Sequence, residues 1–212
     1  MKRAIIALLL SALLLTVCGV SEETVLFGSF YQSAGTGTAE PLEWLVLQED
    51  DKTMLLISRY IIDTRRLHDS FTPTCWADCD LRAWLNGGFF DTAFTDAEKE
   101  RILPFPCEPH PLLYFEDIPQ GEAVSDHVFL LSAEEAAQLL VGTPATQASM
   151  TGWAKQNCGE NTDGFAAWWL RTVSFDGNCG TAVTPEGEIA YIHSTVNDGF
   201  TGVRPCILLK KN

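Results

Sequence analysis

The sequence predicts an α+β fold, with β-strands near both ends of the chain and short helices between them. The first observation is the segment Ala167-Trp168-Trp169-Leu170-Arg171. Successive side chains of a strand point to opposite faces of its sheet, so two adjacent tryptophans need cover on both faces. The second observation is the apolar segment from Thr201 to Leu209, which also contains one arginine. We predict two core strands that enclose a loop-rich stretch of about thirty residues, far longer than a common connection.

The N-terminal part of the chain is predicted to be rich in strands. Thr24–Phe30 is a strand candidate, and a loop rich in glycine and threonine follows it. Glu43–Gln48 and Thr53–Arg59 are apolar segments on either side of an acidic turn. This pattern is typical of a β-hairpin.

Short helices are predicted in the middle of the chain. Asp78 or Asp80 is expected to cap a helix that includes Trp84 and ends at Asn86-Gly87-Gly88. Two capping boxes, each a Ser or Thr followed three residues later by Glu, open further helices. The remaining predicted elements are a helix from Thr95 through Ile102, a strand at His127–Leu131, helices at Ser132–Leu140 and Thr146–Gln156, and strands at Ala167–Val173, Cys179–Thr184, Glu188–His193 and Thr201–Leu209.

Composition and charge favour one acidic globular domain over residues 22–212. The chain has 212 residues, of which 46% are hydrophobic, enough for one well-buried core. Its formal charge is −14, with 28 acidic and 14 basic residues. This charge argues against a nucleic-acid partner, because phosphate binding needs clustered lysine and arginine. It also argues against direct binding to an anionic lipid surface.

Residues 1–21 have the pattern of a signal peptide. A charged start precedes the apolar run Ala4–Val17, which is short for a membrane-spanning helix. The segment Leu15-Thr16-Val17-Cys18 resembles a bacterial lipobox, which would place a lipid anchor on Cys18, although Val17 departs from the small residue usual there. We therefore predict a protein that is secreted or anchored at the outer face of the bacterial membrane, and both alternatives stay open. Any membrane contact would be through that lipid.

Export makes the cysteine count informative. Without Cys18 six cysteines remain, and an even number in an exported chain predicts disulfides. Buried free thiols are the alternative. The sequence does not choose among the pairings, and the disulfide candidates are Cys75, Cys79, Cys107, Cys158, Cys179 and Cys206.

Eight short motifs follow one another along nearly the whole mature chain, from about residue 25 to residue 209. They are Phe27-Gly28-Ser29 with Gln32; Glu43-Trp44-Leu45-Val46-Leu47; Leu55-Leu56-Ile57-Ser58; Trp76 with Leu81-Arg82 and Trp84-Leu85-Asn86; Ala93-Phe94 with Glu98; Val128-Phe129-Leu130-Leu131-Ser132; Trp168-Trp169-Leu170-Arg171; and Gly202-Val203-Arg204-Pro205. Together they resemble a bacterial family known as a domain of unknown function, DUF6273. The resemblance implies a secreted or surface protein of gut-type bacteria, with no assigned activity.

The last two motifs also resemble the end of C-type-lectin-like folds, including that of the formylglycine-generating enzyme group. This resemblance implies a single C-type-lectin-like domain whose site lies in a loop-rich insertion between late β-strands. The enzyme group carries an oxidising cysteine pair shortly before its closing strand. Here the close pair is Cys75 and Cys79, far upstream, which argues against the enzymatic role.

Three arginines lie within apolar segments, at Arg82, Arg171 and Arg204. A buried guanidinium favours a bidentate carboxylate partner, so we predict internal ion pairs, with an anion-binding site as the alternative. The candidate partners are Asp63, Asp80 and Asp91. The arginines are assigned structural roles together with Trp84, Trp168 and Trp169.

The sequence predicts no metal site and no cofactor. No histidine is spaced from another histidine or a cysteine as zinc ligands are. Loops at Asn161–Gly164, Asp176–Asn178 and Asn197–Gly199 leave calcium conceivable, although Asn-Gly and Asp-Gly pairs are first of all turn signals. The sequence contains neither a nucleophile elbow nor a phosphate-binding loop motif.

The predicted function is an exported or cell-surface, non-enzymatic binding module whose partner is a glycan or a protein. The alternatives are an enzyme on a formylglycine-generating-enzyme-like fold and a structural domain of a surface assembly. Aromatic faces stack on sugar rings or peptide side chains, and Asn and Asp supply hydrogen bonds. If Phe175 and Phe200 instead close the core, the chain has no binding site of this kind. The predicted ligand-binding residues are Phe175, Asp176, Asn178, Tyr191, His193, Asn197, Asp198 and Phe200.

Overall fold

The computed structural model describes residues 24–110, 120–158 and 164–211. It confirms the predicted α+β class, with mostly strands and a few short helices. The predicted signal peptide, its lipidation candidate Cys18 and the Asn161–Asp163 part of one calcium-candidate loop lie outside the described residues.

The strands are β1 (Thr24–Tyr31), β2 (Ala39–Glu49), β3 (Thr53–Ser58), β4 (Asp63–Thr64), β5 (Ile102–Leu103), β6 (Phe105–Cys107), β7 (Val124–Asp126), β8 (Val128–Phe129), β9 (Trp168–Ser174), β10 (Cys179–Val183), β11 (Ile189–Thr195), β12 (Gly202–Val203) and β13 (Cys206–Lys210). The α-helices are α1 (Asp80–Trp84), α2 (Phe90–Ala93), α3 (Asp96–Lys99), α4 (Ala133–Leu139) and α5 (Gly152–Cys158).

The larger sheet is antiparallel and runs in the order β1-β2-β3-β13-β5, and β8 also pairs with β13. Strands β2 and β3 form the predicted hairpin. The Asp50 carboxylate closes its turn by accepting bonds from the backbone N–H groups of Lys52 and Thr53, each at 2.7 Å. The last strand of the chain, β13, therefore lies inside this sheet beside β3.

The second sheet runs in the order β11-β10-β9-β12-β4, so β9 is central, as predicted. Trp168 and Trp169 are both 0% exposed. Their indole N–H groups donate in different directions, from Trp168 to the carbonyl oxygen of Thr146 at 3.2 Å and from Trp169 to that of Arg65 at 2.8 Å. Both faces of β9 are therefore covered. Strands β6 and β7 form a separate two-stranded sheet.

Buried hydrophobic side chains from both sheets belong to one continuous cluster in the described ranges. Trp44 of β2 is fully buried in it and donates from its indole to the carbonyl oxygen of Phe27 at 2.8 Å. The cluster fixes the two sheets against each other and leaves the connections of the second sheet at the surface. Across the described segments, we find no helix with the length and apolar character needed to cross a membrane.

The segment Thr201–Leu209, predicted as one strand, is two strands in different sheets. β12 belongs to the second sheet and β13 to the larger sheet, with Arg204 and Pro205 between them. Proline has no N–H group to donate to a β-ladder, so regular pairing breaks at Pro205. The chain crosses there from one sheet to the other.

The helix predicted to end at Asn86-Gly87-Gly88 continues. After α1 the chain forms a π-helical turn at Leu85–Phe89 and enters α2. The Asn86 side chain does not terminate the helix, because its amide donates to the carbonyl oxygens of Arg82 at 3.2 Å and Val128 at 2.8 Å. The predicted caps were also wrong: the N-cap of α1 is Cys79, whose Sγ accepts a bond from the Arg82 N–H at 3.5 Å.

Both predicted capping boxes are confirmed, Thr95 with Glu98 at α3 and Ser132 with Glu135 at α4. Helix α3 is shorter than predicted because Ile102 belongs to β5, which pairs with β13. The helix predicted from Thr146 begins later, at the start of α5, after a short 3-10 turn.

The predicted disulfides are not formed among five of the six candidate cysteines. The Cys75 thiol donates to Asp78 at 3.3 Å and the Cys79 thiol to the carbonyl oxygen of Trp76 at 3.4 Å. The sixth candidate, Cys158, donates its thiol to the carbonyl oxygen of Lys155 at 3.3 Å. The free thiols are Cys75, Cys79, Cys107, Cys179 and Cys206.

Candidate functional site

Thr181 of β10 lies opposite irregularities in both neighbouring strands. Gly180 and Ala182 pair with β9 residues four apart, Val173 and Trp169, so three β9 residues face Thr181 alone. The same shift occurs on β11, where three residues lie between the partners of Gly180 and Ala182. Bulges re-aim side chains. On β9 the bulged residues are Leu170, Arg171 and Thr172, all buried, and on β11 they are Tyr191, Ile192 and His193, of which the first two are exposed.

Three loops beside the second sheet are tied together by backbone hydrogen bonds. The N–H group of Thr74 donates to the carbonyl oxygen of Gly177 at 3.0 Å. The N–H group of His68 donates to the carbonyl oxygen of Val196 at 2.8 Å, and the N–H group of Val196 donates to the carbonyl oxygen of Asn178 at 2.9 Å. These loops are residues 68–74, the β9–β10 turn at 175–178 and the β11–β12 connection at 196–201. We call this surface the three-loop face.

Each loop of the three-loop face carries a phenylalanine that is largely exposed. The exposed fractions are 60% for Phe71, 57% for Phe175 and 62% for Phe200. Tyr191, on the bulge of β11, is 47% exposed. A single exposed apolar side chain is ordinary. Several on loops that are bonded to one another are typical of an interaction site.

The turn that carries Phe175 is strained. Phe175 and Asp176 have positive φ angles of 51° and 59°. Such conformations cost non-glycine residues about 1–3 kcal/mol each and are concentrated at functional sites. Gly177 holds the turn against the neighbouring loop, since a Cβ atom there would lie 2.9 Å from the carbonyl oxygen of Thr74.

A polar network fixes the loop that carries Phe200. The Asp198 carboxylate accepts bonds from the Phe200 N–H group at 3.0 Å and from the Thr201 hydroxyl at 2.8 Å. The Thr201 hydroxyl also lies 3.1 Å from His193 Nε2. The His193 ring packs edge-on against Trp169 at 5.6 Å between centroids. Burial lowers the pKa of His193 below its usual value, and the negative charge of Asp198 partly opposes this.

The predicted site residues all belong to this region, with unequal exposure. The alternative in which Phe175 and Phe200 close the core is wrong, because both rings are mostly in solvent. Sequence reasoning missed Phe71, although a lone phenylalanine between serine and threonine in a polar loop was a usable signal. The exposed predicted residues are Phe175, Asp176, Tyr191 and Phe200, and the partly buried ones are Asn178, His193, Asn197 and Asp198.

A second polar cluster surrounds Arg171. Its guanidinium forms a bidentate ion pair with Glu135 and donates to the carbonyl oxygens of Leu130 at 3.1 Å and Glu108 at 3.2 Å. The predicted burial and pairing are confirmed for Arg171, with Glu135 in place of the expected aspartates. The cleft beside it has free space for about one water molecule, far less than a small-molecule site needs.

The same cleft contains Cys107 and His110, the residue types that a thiol nucleophile and its base require. His110 Nδ1 lies 2.8 Å from a carboxylate oxygen of Glu134. Burial, however, raises the pKa of the Cys107 thiol to about 12. A reactive cysteine needs the opposite shift, so this thiol is not activated.

Arg82 is paired as well, with Asp126. Its guanidinium lies 2.8 Å from the carboxylate, and the indole N–H of Trp76 donates to the same group at 2.8 Å. Asp126 is almost completely buried, and the hydrogen bonds satisfy its charge. This cluster joins the segment before α1 to β7 and has a structural role.

Arg204 is buried as predicted but is not paired with a carboxylate within the described segments. Its guanidinium donates to the carbonyl oxygens of Ser58 at 2.8 Å and Ala145 at 2.5 Å, and its Cζ atom lies 5.1 Å from the centroid of the Trp168 ring. Burial lowers the pKa of Arg204 to about 10. The prediction of an ion pair was therefore wrong for this residue, whose charge is held by carbonyl dipoles and an aromatic face.

The described residues contain no group of three or more histidine, cysteine, aspartate or glutamate side chains that could hold a metal ion. Asp176 and Asp198 belong to different loops. Both carboxylate oxygens of Asp198 accept hydrogen bonds from residues of its own loop. The part of the chain that we describe therefore gives calcium binding no geometric support.

The comparisons with known proteins give one match. The family model "Domain of unknown function (DUF6273)" matches residues 51–211, which is most of the chain. The matched range begins after β2 and includes β3 to β13, the three-loop face and the ion pairs of Arg82 and Arg171. No curated protein and no solved structure matches the chain.

Proposed function

The chain belongs to the DUF6273 family, and we propose that it is an exported, non-enzymatic binding module that docks a protein partner on its three-loop face. The observation that carries this proposal is the set of three largely exposed phenylalanines on three mutually bonded loops. Hydrophobic burial is the main driving force of protein association. A surface that exposes Phe71, Phe175 and Phe200 gains stability when a partner covers it.

Three features indicate that the phenylalanines are exposed for binding and not by chance. The loops are fixed by backbone hydrogen bonds, so little chain entropy is lost on binding. Phenylalanine side chains are rigid anchors with only two rotatable bonds. Phe175 keeps its ring largely in solvent although its backbone has a positive φ angle, a conformation that is costly for a residue other than glycine.

A protein partner fits this surface better than a glycan. Sugar binding requires polar side chains with free donors and acceptors around an aromatic platform. Here the Asp198 carboxylate and the Thr201 hydroxyl are already bonded within the loop, and phenylalanine has no polar atom of its own. A second copy of the chain is disfavoured because each copy has a formal charge of −14.

The same proposal includes export of the chain and a C-type-lectin-like fold. The charged and apolar segment at residues 1–21 supports export, either free or through a lipid on Cys18. The C-type-lectin-like assignment is supported by the closing motifs and by the position of the loops between β9 and β12. In that fold such loops carry the site, which agrees with a docking role for the three-loop face.

The test uses adhesion of the purified chain to three surfaces: bacterial wall fragments before and after protease treatment, mucin before and after removal of its glycans, and a glycan array. We expect protease-sensitive adhesion that Phe200→Ala weakens about tenfold or more. The control is Leu26→Ala, because Leu26 is 65% exposed but lies on β1 of the other sheet. This variant should adhere like wild type.

Two outcomes would overturn the proposal. Adhesion confined to the glycan array would assign a sugar ligand instead of a protein. The absence of adhesion to all three surfaces, or an equal loss in Leu26→Ala and Phe200→Ala, would remove the three-loop face as the docking site.

A further inference from the structure

Strand β11 forms an open edge of the second sheet. The sheet runs in the order β11-β10-β9-β12-β4, so β11 pairs with β10 on one side, and no strand of the described chain pairs with its other side. The strand is seven residues long and carries two largely exposed apolar side chains, Tyr191 at 47% and Ile192 at 53%. Backbone groups at such an edge are a template for pairing with another chain.

The register shows which backbone groups face the open side of β11. The Glu188 carbonyl oxygen accepts a bond at 2.8 Å, and the Val196 N–H group donates one at 2.9 Å, both with residues that flank β10. Bonded and non-bonded pairs alternate in an antiparallel ladder, so Ile189 and Thr195 direct their N–H and carbonyl groups away from β10. The Thr195 carbonyl oxygen accepts from the Asp198 N–H group at 2.9 Å. The N–H groups of Ile189 and Thr195 and the Ile189 carbonyl oxygen have no backbone partner within the described segments.

This edge lacks most of the features that keep natural edge strands from pairing. Those features include lysine, proline, short length and bulges. Ile189–Thr195 contains no lysine, arginine or proline, and the bulge at Tyr191, Ile192 and His193 is the feature that remains. On the inner side five residues of β10 cover the same length. A partner segment of similar length therefore covers the open side and contacts the exposed Tyr191 and Ile192 side chains.

The surroundings of β11 are acidic. Residues 173–203 contain no lysine or arginine, and α4, which packs beside β11, contains none either. Glu186 and Glu188 are exposed in the turn before the strand, and Asp176 is exposed in the turn beside its other end. This field attracts a cationic segment. It repels a second copy of the chain, because that copy has the same acidic edge.

We propose that β11 binds an extended segment of the protein partner that carries lysine or arginine, by adding it to the sheet as a further strand. Ladder bonds to Ile189 and Thr195 align the main chain of the segment. Its apolar side chains cover Tyr191 and Ile192, and its cations face the acidic residues of the neighbouring turns. In this mode of recognition, main-chain bonds supply affinity and side chains supply selectivity.

This inference rests on the proposed docking function and names the part of the partner that is recognised. Thr195, the last residue of β11, is followed directly by Val196, the first residue of the loop that carries Phe200. A segment added along β11 therefore leads to the three-loop face, where the rest of the partner docks.

The direct test uses a synthetic peptide of about seven residues that alternates lysine and valine, since strands of this length are typical of sheets. We expect saturable shifts of the Ile189 and Thr195 amide NMR signals and slower hydrogen exchange of both N–H groups. The affinity should fall as salt is added. Two comparison peptides should leave these signals unchanged: one that alternates glutamate and valine, and the lysine–valine peptide N-methylated at every residue, which has no N–H donor.

The charge argument is tested by the double variant Glu186→Lys with Glu188→Lys. It should weaken binding of the lysine–valine peptide about fivefold or more and favour the glutamate–valine peptide. The matched control is Asp51→Lys with Glu100→Lys, which makes the same change in net charge at two exposed positions away from β11. The control should bind the lysine–valine peptide like wild type.

Three results would overturn the inference. Equal binding of the glutamate–valine peptide would remove the charge preference, and undiminished binding of the N-methylated peptide would remove strand addition. Protection of the Ile189 and Thr195 amides that rises with protein concentration and needs no peptide would assign the edge to a second copy of the chain.

The adhesion assay separates this inference from the proposed function. Ile189→Pro removes an outward N–H group and no bond to β10, so it should fold and adhere less. If it fails to fold, the double variant at Glu186 and Glu188 decides. If Phe200→Ala weakens adhesion and these edge variants do not, the docking function stands and strand addition is wrong. If none of the variants changes adhesion, the proposed function itself is wrong.

Discussion

Arg171 and Glu135 form a bidentate ion pair that joins the bulge of β9 to the first turn of α4. The Arg171 side chain is 3% exposed and that of Glu135 is 19% exposed. Glu135 also accepts a bond from the Ser132 N–H at 2.9 Å as part of the capping box. One carboxylate therefore starts the helix and neutralises the buried arginine.

Arg171→Met should destabilise the chain strongly. The substitution leaves the Glu135 carboxylate without its cation and two carbonyl oxygens without a donor. Breaking a buried pair in this way costs about 3–5 kcal/mol. For a chain of this size we expect Tm to fall on the order of 10 °C. Thermal unfolding followed by circular dichroism checks this. A Tm unchanged by the substitution would mean that the pair is not a structural cross-link.

Arg204→Met should cost less than Arg171→Met, although Arg204 is the more deeply buried of the two. Its removal leaves two carbonyl oxygens without a donor but no uncompensated carboxylate, and it also relieves the desolvation that lowers the pKa of Arg204 to about 10. Comparing the unfolding midpoints of the two variants in denaturant tests this order. A larger loss in Arg204→Met would indicate a buried anion that this structure does not describe.

The fold class could be predicted because its signals are local. The paired tryptophans at Trp168 and Trp169 indicated a strand covered on both faces, and the capping boxes at Thr95 and Ser132 indicated helix starts. Each of these depends on residues close together in sequence. The continuation of α1 past Gly87 depends on contacts of Asn86 with the distant Val128, which no local pattern reveals.

The candidate site could be predicted only in part, for a similar reason. The segment between β9 and β12 was identified from its length and its aromatic and polar content. The loop that carries Phe71 reaches the same region through backbone bonds from His68 and Thr74 to residues more than a hundred positions away. The partner of Arg171 was also missed, because Glu135 is 36 positions away and its local pattern indicates only a capping box.

His193 should make stability depend on pH. Burial lowers its pKa in the folded chain below the ordinary value of about 6.5, so the unfolded chain binds a proton first as the pH falls. Stability is therefore retained above about pH 6.5 and falls below it. The groups facing the ring are Trp169, the Thr201 hydroxyl and Asp198, whose charge limits the shift.

The measurement is Tm of wild type and His193→Gln between about pH 8 and about pH 5. Glutamine keeps a donor for Thr201 but does not titrate. The difference between the two curves isolates His193 from the many carboxylates that titrate lower. Parallel curves across this range would contradict the assignment.

The thiols should be unreactive except at Cys179. Burial raises the pKa of Cys79 and Cys107 to about 12 and that of Cys206 well above its usual range. Cys179 is partly exposed, although burial raises its pKa as well. At about pH 8, iodoacetamide should therefore modify Cys179 first and the buried thiols after unfolding. Peptide mapping by mass spectrometry identifies the modified positions. Thiols that stay unmodified after unfolding, until a reductant is added, would instead establish the disulfides predicted from the sequence.

The central claim is that Phe175 is held outward to dock a partner, and Phe175→Gly tests it most directly. Glycine adopts a φ angle near 51° without strain, so Tm should stay the same or rise while protease-sensitive adhesion is lost. Asp176→Gly is the matched control, because it relieves the same backbone strain at φ 59° and keeps the ring; it should adhere like wild type. A lower Tm with adhesion intact in Phe175→Gly would contradict the account, since Phe175 would then be a structural residue and the three-loop face would have no docking role.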